Sequence, residues 1–142
     1  MTRIDFHFNA PTKVGYTCRL ARRARAAGSQ LVIFGTDANL LAELDRQLWT
    51  FSAQDFLPHC YANDALATQT PILLTSDASP TPHHEVLINL DGTQPEFFSR
   101  FERLIEVVGR DDIDRQRARE RWKFYKDRGY ALTHHDLGGA NS

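Results

Sequence analysis

Gln30-Leu31-Val32-Ile33-Phe34-Gly35-Thr36-Asp37 is the stretch on which the fold turns. Residues 30–34 are a short, nearly continuous apolar run, the pattern of a parallel strand buried on both faces. Gly35-Thr36-Asp37 then turns the chain into residues 38–49, where Leu41, Leu44 and Leu48 form one apolar stripe at helical spacing. Upstream, residues 3–8 alternate Ile4, Phe6 and Phe8 with Arg3, Asp5 and His7, which predicts a strand. Thr12 is placed to cap a helix over residues 13–27, where Val14, Cys18, Ala21 and Ala24 recur at helical spacing and Gly28 supplies a stop. Strand, helix, strand, helix in that order predicts α/β layering.

Working outward, Phe56-Leu57-Pro58-His59 and Pro71-Ile72-Leu73-Leu74 read as short strands, the first near a sheet edge because of its proline. Residues 75–84, rich in Ser, Thr, Pro and Asp, form a loop. Residues 85–90 (EVLINL) are a strand, Pro95 opens a short helix through residues 98–101, and Leu104-Ile105-Glu106-Val107-Val108 is another strand. Asp111 and Asp112 begin the longest helix, which runs to about Arg128 and stops at Gly129. Residues 131–142 are expected to be a tail, flexible from about residue 137. The predicted fold is a three-layer α/β/α sandwich with a mostly parallel central sheet, Rossmann-like, and residues 1–142 form a single domain.

Composition narrows the function. The chain has 142 residues, 42% hydrophobic and 25% charged, with a net charge of −1. It therefore has no global attraction for nucleic acid or anionic membrane. The N-terminus lacks the apolar run of a signal peptide, and no stretch approaches the roughly 20 apolar residues of a membrane span. Cys18 and Cys60 have no metal-like spacing. These features predict a soluble, reduced, cytoplasmic chain.

Catalytic and cofactor patterns are sparse. No GxxxxGK[ST] or GxGxxG follows either early strand, and no Gly-x-Ser-x-Gly occurs. Asp37 is read as a helix N-cap rather than a ribose ligand. Cys60 and His59, as neighbours on a strand, point to opposite faces and do not form a nucleophile–base pair. His83-His84 and His134-His135-Asp136 fall in predicted loop and tail, without the i, i+4 spacing that places two imidazoles on one helix face. No catalytic, cofactor-binding or metal-binding residue is assigned.

The last helix is the exception to this plainness. It carries Arg115, Arg117, Arg119, Arg121, Lys123, Lys126 and Arg128 against only Glu120 and Asp127 over residues 115–128. At about 100° per residue, Arg115, Arg119, Lys123 and Lys126 share an arc of roughly 80°. Ala118, Trp122 and Tyr125 form an apolar stripe beside it, with Trp122 at the border. A cationic ridge along an aromatic edge suits an acidic peptide with an apolar anchor. It also suits a phosphate backbone, for which the first helix offers a second strip in Arg19, Arg22 and Arg23. A third reading is a solvated face whose charges merely complement the helix dipole.

Residues 118–130 (ARERWKFYKDRGY) resemble the C-terminal signature of the chi subunit of bacterial DNA polymerase III. Four further segments fit that family in the same order: Leu44-Asp45 through Leu48-Trp49, Phe56-Leu57-Pro58-His59, Val86-Leu87-Ile88-Asn89-Leu90, and the block from Phe97 to Val108. The similarity is weakest over residues 62–84. The resemblance implies an α/β/α fold and a non-catalytic role in DNA replication without cofactors. It also implies two partners: the psi subunit, which tethers the chain to the clamp loader, and the acidic C-terminal tail of single-stranded-DNA-binding protein, which ends in phenylalanine. DNA would be contacted mainly indirectly, and the membrane not at all. Residues matching the family's tail-binding site are Arg115, Arg119, Trp122, Lys123 and Val108; Arg115 and Trp122 stand where lysine and tyrosine occur in familiar members. The psi-facing surface matches around Phe56 and Trp49, and serves a helicase in some members. The alternatives are a nucleotide-binding or helicase-like enzyme domain and a direct single-stranded-DNA binder.

Overall fold

The structure, a computed structural model, describes residues 2–50 and 57–138. Among these residues one sheet of seven strands is flanked by three α-helices. In chain order they are β1 (Arg3–Phe8), α1 (Lys13–Ala26), β2 (Leu31–Phe34), α2 (Ala38–Thr50), β3 (His59–Tyr61), β4 (Ile72–Thr75), β5 (Val86–Asn89), β6 (Arg103–Val107), α3 (Asp112–Asp127) and β7 (Leu132–Asp136). The strand order is β3-β4-β2-β5-β6-β1-β7, and every neighbouring pair is parallel. The expected three-layer sandwich is present, with a sheet that is wholly rather than mostly parallel.

Strand alternation sorts the core into two halves. Leu31, Ile33, Ile72, Leu74, Val86, Ile88, Ile105 and Val107 face α1 and α2, meeting Cys18, Leu20, Leu41, Leu44 and Leu48. Their partners in sequence, including Ile4, Phe6, Val32, Leu73, Leu87 and Leu104, face α3 with its Ala118 and Tyr125. Phe97, Phe98 and Phe101 fill the rest of that second layer, around a single 3-10 turn (Phe98–Arg100) where a short helix was expected. β2, β4 and β5 are buried on both faces, and their sequences are apolar except at the last residues of β4 and β5, Thr75 and Asn89, whose side chains are hydrogen-bonded.

The helix boundaries follow their caps. The Thr12 hydroxyl accepts from Gly15 N at 3.1 Å, and Asp37 Oδ1 accepts from Asn39 N at 2.9 Å and Leu40 N at 3.2 Å, as the cap readings require. Gly28 and Gly129 end α1 and α3 with φ of +78° and +82°, values that favour glycine.

Two expectations need correction. The strand read at residues 56–59 begins only at His59, because Pro58 has no N–H to give the ladder; it is the edge strand β3, and Phe56 lies outside the described residues. The tail expected from residue 131 instead contributes β7, which pairs with β1 along its whole length, Ile4 opposite Leu132 through Phe8 opposite Asp136. His134 and His135 are thus strand residues with side chains on opposite faces of the sheet. Residues 139–142 of the expected flexible end lie outside the described residues.

Candidate functional site

The site is built around α3, and α3 is held by a buried polar network. Asp111 caps the helix by accepting from Asp114 N at 2.7 Å, and the Asp114 carboxylate takes Gly109 N at 2.7 Å and Lys13 Nζ at 2.9 Å. Further along, Arg121 is only 3% exposed, unlike the other cations of its helix. Its Nε donates to Glu106 Oε1 at 3.1 Å and its Nη1 to the Gly92 carbonyl at 2.8 Å. Glu106 also receives Asn89 Nδ2 at 2.8 Å and the Tyr125 hydroxyl at 2.7 Å. Complete burial pushes the Glu106 carboxyl above the usual range, while the Arg121 charge and these donors pull against it. Arg121 therefore belongs to the interior. The sequence reading, which counted it with the helix's basic residues, had no long-range signal to separate it from them.

With Arg121, Ala118 and Tyr125 turned inward, the outer flank of α3 meets the end of the sheet at a cavity of about 320 Å³. Its lining is Phe6 and Phe8 of β1, Val108 after β6, Arg115, Ala118, Arg119 and Trp122 of α3, and His134 of β7. The walls are aromatic: Trp122 lies edge-on to Phe6 with ring centroids 5.2 Å apart and to His134 at 5.9 Å, and His134 is 6.1 Å from Phe8. Arg115 and Arg119 are exposed at the rim. Arg119 Nη1 reaches only Gln116 Oε1 at 3.3 Å, and among the described residues no salt bridge holds either guanidinium. An apolar hollow beside two exposed cations has the chemistry to take an apolar side chain together with a nearby carboxylate.

Of the residues singled out from sequence, Val108, Arg115, Arg119 and Trp122 come together at this cavity. Lys123 is exposed on the same helix but does not line it. Sequence reading missed Phe6, Phe8 and His134. The alternation of β1 put the two phenylalanines on one face without indicating that Phe8 would border a cavity. His134 carried no local signal of its strand.

Trp49 lies elsewhere, at the C-terminal end of α2. It is 54% exposed, and its ring centroid is 4.2 Å from that of His59 on β3. His59 is buried, its ring nitrogens against the Leu57 carbonyl at 2.7 Å and the Asp45 carbonyl at 3.1 Å, while Cys60 faces the other side of the sheet. Among the described residues no group of three or more His, Cys, Asp or Glu is arranged to hold a metal ion, and no helix is long and apolar enough to cross a membrane.

Comparison with known proteins returns one family. The family model described as "DNA polymerase III chi subunit, HolC" matches residues 1–133. The chain is 34% identical to DNA polymerase III subunit chi of Pseudomonas aeruginosa over 141 residues, covering 96% of this chain and 98% of that one. It is 29% identical to the subunit of the same name from Haemophilus influenzae, covering 85% of each chain. It is 27% identical to that of Escherichia coli, covering 82% of this chain and 80% of the other.

Proposed function

The chain belongs to the chi-subunit family of DNA polymerase III, a replication accessory subunit, and on that premise we propose that it is a non-catalytic adaptor. One end binds the acidic, phenylalanine-terminated C-terminal tail of single-stranded-DNA-binding protein. The other binds psi and through it the clamp loader. The observation that carries this reading is the α3 cavity. Its aromatic walls match a phenylalanine side chain in kind, and Arg115 and Arg119 stand beside it without a salt bridge among the described residues. In the proposed complex Arg119 pairs with the terminal carboxylate, Arg115 and Lys123 meet the preceding aspartates, and Trp122 and Val108 wall the ring. Support for the psi-facing end is the exposed Trp49 at the opposite edge of the sheet. Phe56, the second residue assigned to that surface, lies outside the described residues.

Contacts at an exposed rim give modest, salt-sensitive binding, on the order of micromolar, or about 8 kcal/mol. The test is a titration with a fluorescent peptide ending in Asp-Asp-Ile-Pro-Phe, at low and high salt. Wild type should bind and weaken with salt, and Arg119→Ala should lose at least about tenfold, as removal of a charge-assisted contact does. No binding at low salt would refute the tail assignment.

Direct single-stranded-DNA binding keeps one observation in its favour. α1 carries Arg19, Arg22, Arg23 and Arg25, all exposed, and no acidic residue. A salt-dependent shift of labelled oligonucleotide by the isolated protein would support that reading, and its absence would remove it.

A further inference from the structure

We propose that His134 is a specificity-determining residue of the α3 cavity and makes its ligand binding proton-linked, tighter as the pH falls from 8 to 6. This rests on the acidic-tail reading and adds a residue and a regulation to it.

The starting point is β7. Its pairing with β1 sends His134 to the α3 face, where the imidazole closes the cavity opposite α3. It stands edge-on to Trp122 and within ring contact of Phe8, so as a neutral ring it is one of the aromatic walls. It is also exposed and lies in the same rim as Arg115 and Arg119. A wall made of imidazole differs from one made of phenylalanine in one respect: it is ionisable.

The charged groups around it decide the sign. From α3, Arg115 and Arg119 face it across the rim. From its own strand, Asp136 lies two residues on, in electrostatic contact with both His134 and Arg115. The Asp136 carboxyl is held below the usual range by hydrogen bonds from Asn9 Nδ2 at 2.8 Å and Gly138 N at 2.9 Å, so it stays ionised across the window. From β1 the neighbours are its register partner Phe6 and the Phe8 ring, neither of them charged; just beyond the strand the Asn9 carbonyl holds Arg110 Nε at 3.2 Å. His135 faces the other side of the sheet, against His7. A ligand carboxylate entering beside Arg115 and Arg119 brings negative charge next to the imidazole on the same rim, and that charge favours the protonated ring. Binding then takes up a proton, and by linkage lower pH strengthens binding.

The experiment measures affinity for the Asp-Asp-Ile-Pro-Phe peptide at pH 6 and pH 8 for wild type, His134→Phe and His134→Ala, with Arg119→Ala alongside. Wild type should bind about threefold to fivefold tighter at pH 6, the size of one exposed charge pair. His134→Phe should stay close to wild type at pH 8 and lose the pH dependence. His134→Ala, which removes the wall, should bind more weakly at both. A pH-independent wild type, or a His134→Phe protein that keeps the full pH effect, would overturn the inference while leaving the tail assignment standing. Binding absent at both pH values would remove both.

Discussion

His7 lies on the face of β1 opposite the cavity and shows how strongly one side chain ties stability to pH. Its Nδ1 is hydrogen-bonded to the Tyr16 hydroxyl, and its Nε2 is buried without a hydrogen-bond partner among the described residues. Burial first, and the neighbouring His135 second, push its pKa from 6.5 down to about 4. In the unfolded chain the ring binds a proton near 6.5, and in the folded chain only near 4. Between those values the unfolded state holds more protons, so stability rises with pH. The neutral ring is without penalty above about pH 6.5, and the loss grows as pH falls toward 4, reaching roughly 3 kcal/mol. Urea unfolding at pH 7.5 and 4.5 should therefore show a larger acid loss for wild type than for His7→Gln, by roughly 2 to 3 kcal/mol. Equal losses would contradict it. At this scale the sequence was legible where the partner is local: Thr12 and Asp37 cap as their identities suggest. It was silent where the partner is distant. Arg121 looks like Arg119 until Glu106, fifteen residues away, takes it inward.

That pair also fixes a whole element. α3 rests on the sheet through Arg121 and Tyr125, both bonded to Glu106 of β6, so the helix register and the cavity wall depend on one carboxylate. Glu106→Ala leaves a buried guanidinium unpaired and should cost about 3–5 kcal/mol. Replacing both partners with apolar residues, Glu106→Leu with Arg121→Met, should cost much less than the sum of the single changes, since the buried charge goes with its partner. A double-mutant cycle by urea unfolding checks this; additive losses would mean that the two do not act as a pair. The elements themselves were largely readable. β2, β4 and β5 are apolar over at least three consecutive residues because they are covered on both faces, and α2 shows its Leu stripe. β7 was not readable. Its sequence, LTHHD, is mostly exposed, and its place is set by backbone pairing with β1 and by the bonds of Thr133 to Asp5 and of Asn9 to Asp136. None of these is visible within five residues, and with β7 went the wall residue His134.

Across the whole molecule, the two candidate surfaces sit at opposite edges of one sheet. The cavity involves β1 and β7 at one edge, and Trp49 packs on β3 at the other. Six strand spacings separate β3 from β7, roughly 29 Å, so two partners docking there are kept apart. An adaptor needs this arrangement. The measurement that tests it most directly is binding of the protein to single-stranded-DNA-binding protein, intact and with its last residues removed, each with and without psi bound. The adaptor account predicts micromolar, salt-sensitive binding to the intact partner, abolished by the tail deletion and unaffected by psi. Equal binding to the tail-deleted partner, or displacement by psi, would contradict it.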